Sequence, residues 1–187
     1  MPMTGTVGDS RHEPVGVPGA ELDLGVGSFV VYGGHGVGRV TLVQDAESAL
    51  DLRRTVVLEF AGGLSVTLPL QRAVTCLRPL VGEVELTHVR EVLRSREARI
   101  EESWQARTKI TRAKLAAGEA VGLAEVVRDL AVRQRGFSEG TTLSSHEREL
   151  YLRARRLLAA ELAAATERDE AGADAWIEAQ LDWVAAP

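Results

Sequence analysis

Residues 28–43 read SFVVYGGHGVGRVTLV, two β-branched runs joined by a glycine-rich turn. Apolar runs on both sides of such a turn are typical of a β-hairpin. A glycine-rich loop that cradles phosphate needs a helix directly after it, whereas Val40 and Leu42 continue this stretch as a strand. Residues 33–38 therefore predict a hairpin turn or bulge, and we interpret His35 as a turn residue rather than a base or a ligand.

Short β-branched runs of the same kind recur up to Pro79. They predict five strands, over residues 29–32, 37–43, 55–60, 64–68 and 73–77. So many short strands, with a tight Gly62-Gly63 turn between two of them, favour a small bent barrel of the SH3 or Tudor kind. Catalytic clefts are rare in such modules.

After Gly82 the apolar period changes from two to about 3.6, which is typical of helices. The pattern predicts helices over residues 86–96, 104–116, 119–134 and 145–165, with a weaker one over 174–184. Gly118 is a predicted helix stop, and Ser144 with Glu147 has the spacing of a capping box. Two apolar stripes predict the helical core: Leu123, Val127, Leu130 and Ala131, and Leu150, Ala154, Leu157, Leu158 and Ala165.

These patterns predict an α+β protein, with a small Tudor/SH3-like β-barrel followed by an all-α domain. We divide the chain into a flexible leader (1–24), the barrel (25–82), the helical domain (86–165) and an acidic tail with a short helix (166–187). Trp176 and Trp183 lie seven residues apart in this tail and are interpreted as docking residues.

Several function classes are excluded by what the chain lacks. The single cysteine, Cys76, rules out an intramolecular disulfide framework and a Cys-based zinc site, and fits a reducing compartment. The four histidines form no metal-binding pair, and no nucleophile elbow is present, so we expect no metal, no cofactor and no enzyme. There is no apolar run near the roughly 18 residues of a membrane span, nor a signal-peptide core, so we expect a cytoplasmic protein.

The net charge of −5 at first argues against a nucleic-acid partner. By segment, however, residues 86–165 carry +4, while 1–24 and 166–187 carry −3 and −5. The basic residues are almost all arginine, which suits contacts to phosphate, although a GC-rich genome produces the same bias. A charge of +4 indicates weak DNA binding in isolation, and the acidic tail is predicted to screen the basic domain.

Only 4% of the residues are aromatic, so the position of Trp104 is informative. It opens a predicted helix and is followed by Arg107, Lys109 and Arg112. Two interpretations stay open on spacing alone: a buried core anchor, which is the common fate of tryptophan, or a flat wedge against unstacked bases whose neighbouring cations hold phosphates.

Two blocks of this chain resemble one known family. Residues 26–32 and 35–40 read VGSFVVY and HGVGRV and are similar to V-G-D-x-V-V-Y-P-x-H-G-V-G-x-V, the opening pattern of the CarD/CdnL family of bacterial transcription regulators. That first domain is shared with the transcription-repair coupling factor. The helical block strengthens the resemblance through Trp104, residues 122–130 (GLAEVVRDL) and residues 147–151 (ERELY), in the right order.

We expect a monomer. The resemblance implies a non-enzymatic factor with two partners. Its first domain would bind the RNA polymerase β subunit, and its helical domain would touch promoter DNA at the upstream edge of the transcription bubble. Trp104 would wedge into the minor groove, with Arg107, Lys109 and Arg148 as the DNA-contacting cations. The contacts would reach minor groove and backbone without reading sequence, and would stabilise the open complex.

Departures from the family pattern concern mainly polymerase binding. Two positions where the family can carry polymerase-contacting arginines fall at Ala46 and Thr67. Thr67 stays a candidate polymerase-binding residue, and Arg39, Arg53 and Arg54 are candidate substitutes for the missing arginines. Two alternatives therefore remain: a protein-interaction adaptor that binds a partner strand by edge addition without touching DNA, or a specialised paralogue with altered polymerase binding.

Departures elsewhere are smaller. The usual aspartate and proline of the opening motif are Ser28 and Gly33, and Ala106 replaces a cation beside the wedge. We expect none of these to change the fold.

Overall fold

The computed structural model describes residues 22–45, 54–97, 103–135 and 143–184. Within these residues the chain forms a four-stranded antiparallel sheet followed by helices, which confirms the predicted α+β class. The sheet stays open, so the predicted barrel is not closed. Its strands are neighbours in chain order: β1 (Phe29–Val31), β2 (Val37–Asp45), β3 (Arg54–Phe60) and β4 (Ser65–Pro69).

The inner face of the sheet covers a small apolar core. In β3, Val56 and Leu58 are fully buried and Phe60 nearly so, while the residues between them are more exposed. Gly38 in β2 lies against the Phe60 ring, where a Cβ would be 2.8 Å from Phe60 Cε1. The glycine is therefore required by the close approach of a neighbouring ring.

The prediction of a fifth strand over residues 73–77 is wrong. These residues lie mostly in α1 (Leu70–Cys76), whose buried Ala73 joins the C-cap residue Leu77 in the core under the sheet. A five-residue run in which only Thr75 is polar fits either structure, so its pattern does not separate strand from helix. After α1, Arg78 pairs with Val31 through backbone hydrogen bonds of 2.8 and 3.0 Å, so one residue takes the place of the fifth strand.

All five predicted helices are confirmed, with shifted ends. They are α2 (Glu83–Arg94), α3 (Trp104–Ala117), α4 (Ala120–Arg135), α5 (Ser145–Thr166) and α6 (Glu170–Gln180), after which Asp182–Val184 forms a 3₁₀ turn. The last helix starts before the predicted residue 174 because Asp169 caps it, accepting a hydrogen bond from Gly172 N at 2.7 Å. No helix in the described part of the chain is long and apolar enough to cross a membrane.

The helical core contains most of the two predicted apolar stripes. Leu157 and Ala165 are only partly buried, and α6 adds Ala173, Ile177 and Leu181 to the same core. The docking predicted for the tail tryptophans is seen most clearly at Trp183, whose Nε1 donates to Leu93 O at 2.8 Å. The acidic C-terminal segment thus forms a helix, α6, that packs against α2 and α5.

The sheet unit (β1–β4 with α1) meets the helical unit (α2–α6) at the predicted glycine turn. Residues 33–35 form a 3₁₀ turn and residue 37 begins β2, so the chain continues as strand. Gly118, in the left-handed conformation with φ 67°, ends α3 against this turn: a Cβ on it would lie 2.2 Å from Gly33 O. On the other side, Gly36 packs on Leu157 of α5. The glycines thus allow backbone-to-backbone contact between the units.

A buried ion pair crosses the same junction. Both guanidinium nitrogens Nη1 and Nη2 of Arg78 donate to the carboxylate of Glu161, whose side chain is almost completely enclosed. Nη2 also donates to Gly118 O. Burial alone would lower the pKa of Arg78, but the hydrogen bonds and charge of Glu161 raise it above its ordinary value. The arginine is therefore charged where it joins the two units.

We expect Gly118→Ala to destabilise the protein by at least about 3 kcal/mol, because a left-handed alanine costs about 1–2 kcal/mol and the new methyl group also meets the Gly33 backbone. Gly62→Ala is the matched control, since Gly62 has φ 86° but nothing within 4 Å of a Cβ, and should cost only the conformational part. Urea unfolding of both variants measures the difference. Equal losses would show that the contact with Gly33 is unimportant.

Candidate nucleic-acid interface

Trp104 is the first residue of α3 and is 51% exposed. Helical spacing puts it on the same side as buried Thr108 and Leu115, one turn beyond the packed part of the helix. Ser103 caps the helix by accepting from Ala106 N at 3.5 Å. The indole belongs to neither buried apolar cluster, so the core-anchor interpretation does not describe its position.

Arg107, one turn further along α3, is held in a buried ion cluster. Its Nη2 lies 3.4 Å from Oε1 of Glu147 in α5, and Nε of Arg133 in α4 lies 3.3 Å from the same oxygen. The Glu147 side chain is 6% exposed and that of Arg107 15%. One carboxylate thus joins three helices through two guanidinium groups.

Glu147 is also half of the predicted capping box, which the structure confirms. Its Oε2 accepts from the Ser144 amide at 3.1 Å and from the Ser144 hydroxyl at 2.9 Å, and Ser144 Oγ accepts from Glu147 N. Burial alone would raise the pKa of Glu147, but these hydrogen bonds and the charges of Arg133 and Arg107 hold it below its usual value. The carboxylate is therefore ionised at neutral pH and fixes the start of α5.

The other two sequence-predicted cations are exposed. Lys109 lies on α3, and Arg148 directly follows Glu147, the residue that Arg107 contacts. Neither makes an ion pair with any residue that the structure describes. Arg112, on the same helix as Trp104, lies 3.1 Å from His146 Nε2 at the start of α5. Lys109, Arg112 and Arg148 are therefore the candidate cations of this site, with Lys109 about 140° around α3 from Trp104.

Much of the remaining basic charge of residues 86–165 is paired with carboxylates. Lys114 lies 2.9 Å from Glu125, Arg128 lies 2.7 Å from Asp129, and Arg155 is held by Asp174 and Glu178 of α6. The net charge of a segment therefore says little about which cations are free. Lys109 and Arg148, by contrast, make no ion pair within the part of the chain that the structure describes.

The second candidate surface is the outer face of the sheet. Strand register aligns Phe29, Arg39, Glu59 and Ser65 in one row across it, and Leu42, Val57 and Thr67 in the next. Of the predicted polymerase-binding residues, Arg39 and Thr67 share this face. Arg54 lies two residues before the inward-facing Val56 and so shares the inner face of the sheet, and Arg53 and Ala46 lie outside the described residues.

Two apolar residues of this face were missed by the sequence interpretation. Phe29 is 48% exposed and Leu42 is 44% exposed, each in a row with one of the predicted residues. The strand pattern carries this signal for Phe29, which alternates with buried Val30. It does not for Leu42, which follows buried Val40 by two residues and faces outward because the strand register shifts between them. Exposed apolar groups on a polar sheet face are typical of a protein-binding surface.

Two protein-family models match the parts of the chain that carry these surfaces. Residues 24–81 match the model of the CarD-like/TRCF RID domain, and residues 88–178 match that of the CarD C-terminal domain. Fold and matches together define an RNA polymerase-interacting transcription regulator built from interaction domains rather than catalytic ones. The chain belongs to the CarD family, and its first domain implies interaction with the polymerase β subunit.

The described residues offer no arrangement for metal chemistry, since no group of three or more His, Cys, Asp or Glu side chains converges among them. The helical site offers a half-exposed flat ring at the start of a helix, with an ion cluster one turn further along. Such a ring suits stacking on a distorted or opened nucleic acid. Arg107 contributes to the rigidity, because its guanidinium faces Glu147.

We expect Glu147→Gln to lower the free energy of unfolding by about 1.5–3 kcal/mol at neutral pH, as a charged hydrogen-bond acceptor is lost. The pKa of Glu147 is depressed in the folded state, so its contribution is present above the ordinary value of 4.5 and disappears as the pH falls through the folded value. The variant should therefore lose less stability than the wild type between neutral pH and acid.

Glu149→Gln is the matched control, because Glu149 lies two residues further on the same helix with a side chain 79% exposed. Denaturant unfolding at a series of pH values measures both variants. The same pH profile for Glu147→Gln and the wild type would contradict the proposed role of the cluster.

Proposed function

We propose that the protein binds the RNA polymerase β subunit through the outer face of its sheet and stabilises the open promoter complex with Trp104. The observation that carries this proposal is the exposure of the Trp104 indole at the start of α3, a helix that also carries Lys109, which makes no ion pair with any described residue. Stacking on bases at the upstream edge of the bubble would remove this apolar surface from water. Lys109 and Arg148 would hold the adjacent phosphates.

We assign Arg107 a positioning role in this mechanism rather than the DNA contact that the resemblance implies. Its contact with Glu147 supports a positioning role, in which it holds the first turn of α3 against α5. The cations assigned to the DNA backbone are then Lys109, Arg148 and Arg112. Because they suit phosphates rather than base edges, we propose binding without sequence readout.

Stabilisation of the open complex follows from differential affinity. A ring that fits only unstacked bases binds the opened DNA more tightly than the closed duplex, and so shifts the equilibrium toward the open form. A preference of about 1.4 kcal/mol changes the ratio tenfold. Equal affinity for both forms would change nothing.

Polymerase binding is proposed for the rows of the outer sheet face that contain Arg39 and Thr67. Phe29 and Leu42 supply apolar surface there, and Arg39 supplies a charge that makes no ion pair with any described residue. The missing arginine at Thr67 is thereby compensated by apolar contact in the same row.

One observation favours the adaptor alternative. The sheet is open, and β4 is its last strand, with no further strand on its outer edge among the residues described. A partner strand added to that edge would bind through backbone hydrogen bonds without any need for DNA. The two functions differ in whether Trp104 contacts nucleic acid.

Trp104→Ala should remove most of the effect on open-complex lifetime while changing the free energy of unfolding by no more than about 1 kcal/mol, because the indole is half exposed. Ile110→Ala is the matched control: it shortens an apolar side chain on the same helix that is 41% exposed, and should leave the lifetime unchanged. Promoter dissociation kinetics with purified polymerase measure the effect.

The same variants separate the two functions in a second assay. Binding of forked promoter DNA should weaken steeply with salt and weaken further in Trp104→Ala. An adaptor would show no binding at any salt concentration, and an unfolded Trp104→Ala variant would favour the core-anchor interpretation.

Arg39→Glu should weaken polymerase binding about tenfold, since it places a negative charge in the middle of the proposed surface. Arg72→Glu makes the same charge reversal on α1 of the sheet unit, away from the outer face, and should change affinity less than about twofold. Calorimetric titration with the β subunit measures both. Equal effects would move the interface away from Arg39.

A further inference from the structure

Arg78 connects three parts of the chain at once. Its backbone is paired with Val31 at the edge of β1, and its side chain donates both to Glu161 of α5 and to the carbonyl of Gly118, which ends α3. The residue therefore belongs to the sheet by its backbone and to the helical unit by its guanidinium group.

Glu161 holds the connecting segment as well. While Oε2 accepts from Arg78 Nη2 at 2.8 Å, Oε1 accepts from the Val81 amide at 3.1 Å. Arg78 Nη1 also donates to Pro79 O at 3.1 Å. Both ends of the short 78–81 connection between α1 and α2 are thus bound to one carboxylate that is 1% exposed.

Helix α3 has its end at this junction and Trp104 at its start. Helix α3 spans 14 residues, about 20 Å, from Trp104 at its start to the Gly118 cap at its end. Its cap is bonded to Arg78 and packed on Gly33 of the sheet unit. The helix is therefore a spacer of fixed length between the sheet and the exposed indole.

We infer that the Arg78–Glu161 pair is a positioning device that sets the distance and angle between the polymerase-binding sheet face and Trp104. This inference rests on the proposed function. When two sites on one molecule bind partners that are themselves joined, a rigid spacer of the right length raises the effective concentration of the second contact. A loosened junction lowers it without changing either site.

A bidentate pair suits this task because its hydrogen bonds are directional. Apolar side chains of similar volume tolerate sliding, and buried ion pairs can often be replaced by them with little loss of stability. Replacing the pair should therefore change the relative orientation of the two units while the protein still folds.

The test variant is Arg78→Met combined with Glu161→Gln. The glutamine oxygen still accepts from Val81 N, the methionine fills the space of the arginine stem, and no unpaired buried charge remains. Lys114→Met combined with Glu125→Gln is the matched control, because it removes an ion pair of 2.9 Å within the helical unit.

The first readout is the distance between the two units. Spin labels on Arg72→Cys in α1 and Ile110→Cys in α3, in a Cys76→Ala background, report it by pulsed electron resonance. We expect one narrow distance distribution in the parent and the control, and a broadened one in the test variant. An unchanged distribution would overturn the inference.

The second readout is function. We expect the test variant to bind the polymerase β subunit within about twofold of the parent, and its effect on open-complex lifetime to fall at least about fivefold. A broadened distance with a full effect on lifetime would overturn the inference, as would a comparable loss of polymerase affinity. A test variant that does not fold, as judged by circular dichroism, would also overturn it, because the pair would then be structural.

Failure of the proposed function has a different signature. In that case Trp104→Ala leaves the open-complex lifetime unchanged, whatever the spin-label distances show. Arg78→Lys supplies an intermediate point, since it keeps the charge and loses the bidentate geometry, and its distance distribution should lie between those of the parent and the test variant.

Discussion

The carboxylate of Glu161 is enclosed at the junction of sheet and helices, and its partner guanidinium comes from the other unit. A buried charge of this kind is tolerated only while its partner stays in good geometry. Any sliding of one unit on the other leaves both charges poorly paired in a site that water hardly reaches. The close backbone contact between Gly33 and Gly118 depends on the same geometry, because neither residue has a side chain to fill a gap.

A second carboxylate has the corresponding role inside the helical unit. Glu147 binds arginines from α3 and α4 and also caps α5. It therefore holds the first turns of α3 through Arg107, while Arg78 holds the end of α3 through the Gly118 carbonyl. Trp104 lies at that beginning, and its indole is exposed although its side of the helix is otherwise buried. The two ion clusters therefore present an apolar ring on a rigid support, which is what selective binding of opened DNA requires.

Prediction from the sequence succeeded where the signal is local. The helix stop at Gly118, the capping box of Ser144 and the apolar stripe of α4 depend on residues within a few positions of one another. It failed at residues 73–77, where a short apolar run fits a strand and a helix equally well and only packing against the sheet decides. It also left open which of the two interpretations describes Trp104, because burial depends on elements far away in the chain.

The sequence by itself determined the α+β class, the order of the first four strands and of the five long helices, and the family resemblance, since periodicity, capping and motif spacing are properties of neighbouring residues. Only the tertiary structure decided that Arg107 faces Glu147 while Arg148 stays exposed, and that Arg39 and Thr67 share a face that Arg54 does not. The physical reason is that Arg107 is paired with a residue 40 positions away and that strands from different parts of the chain form one face, which no local pattern encodes.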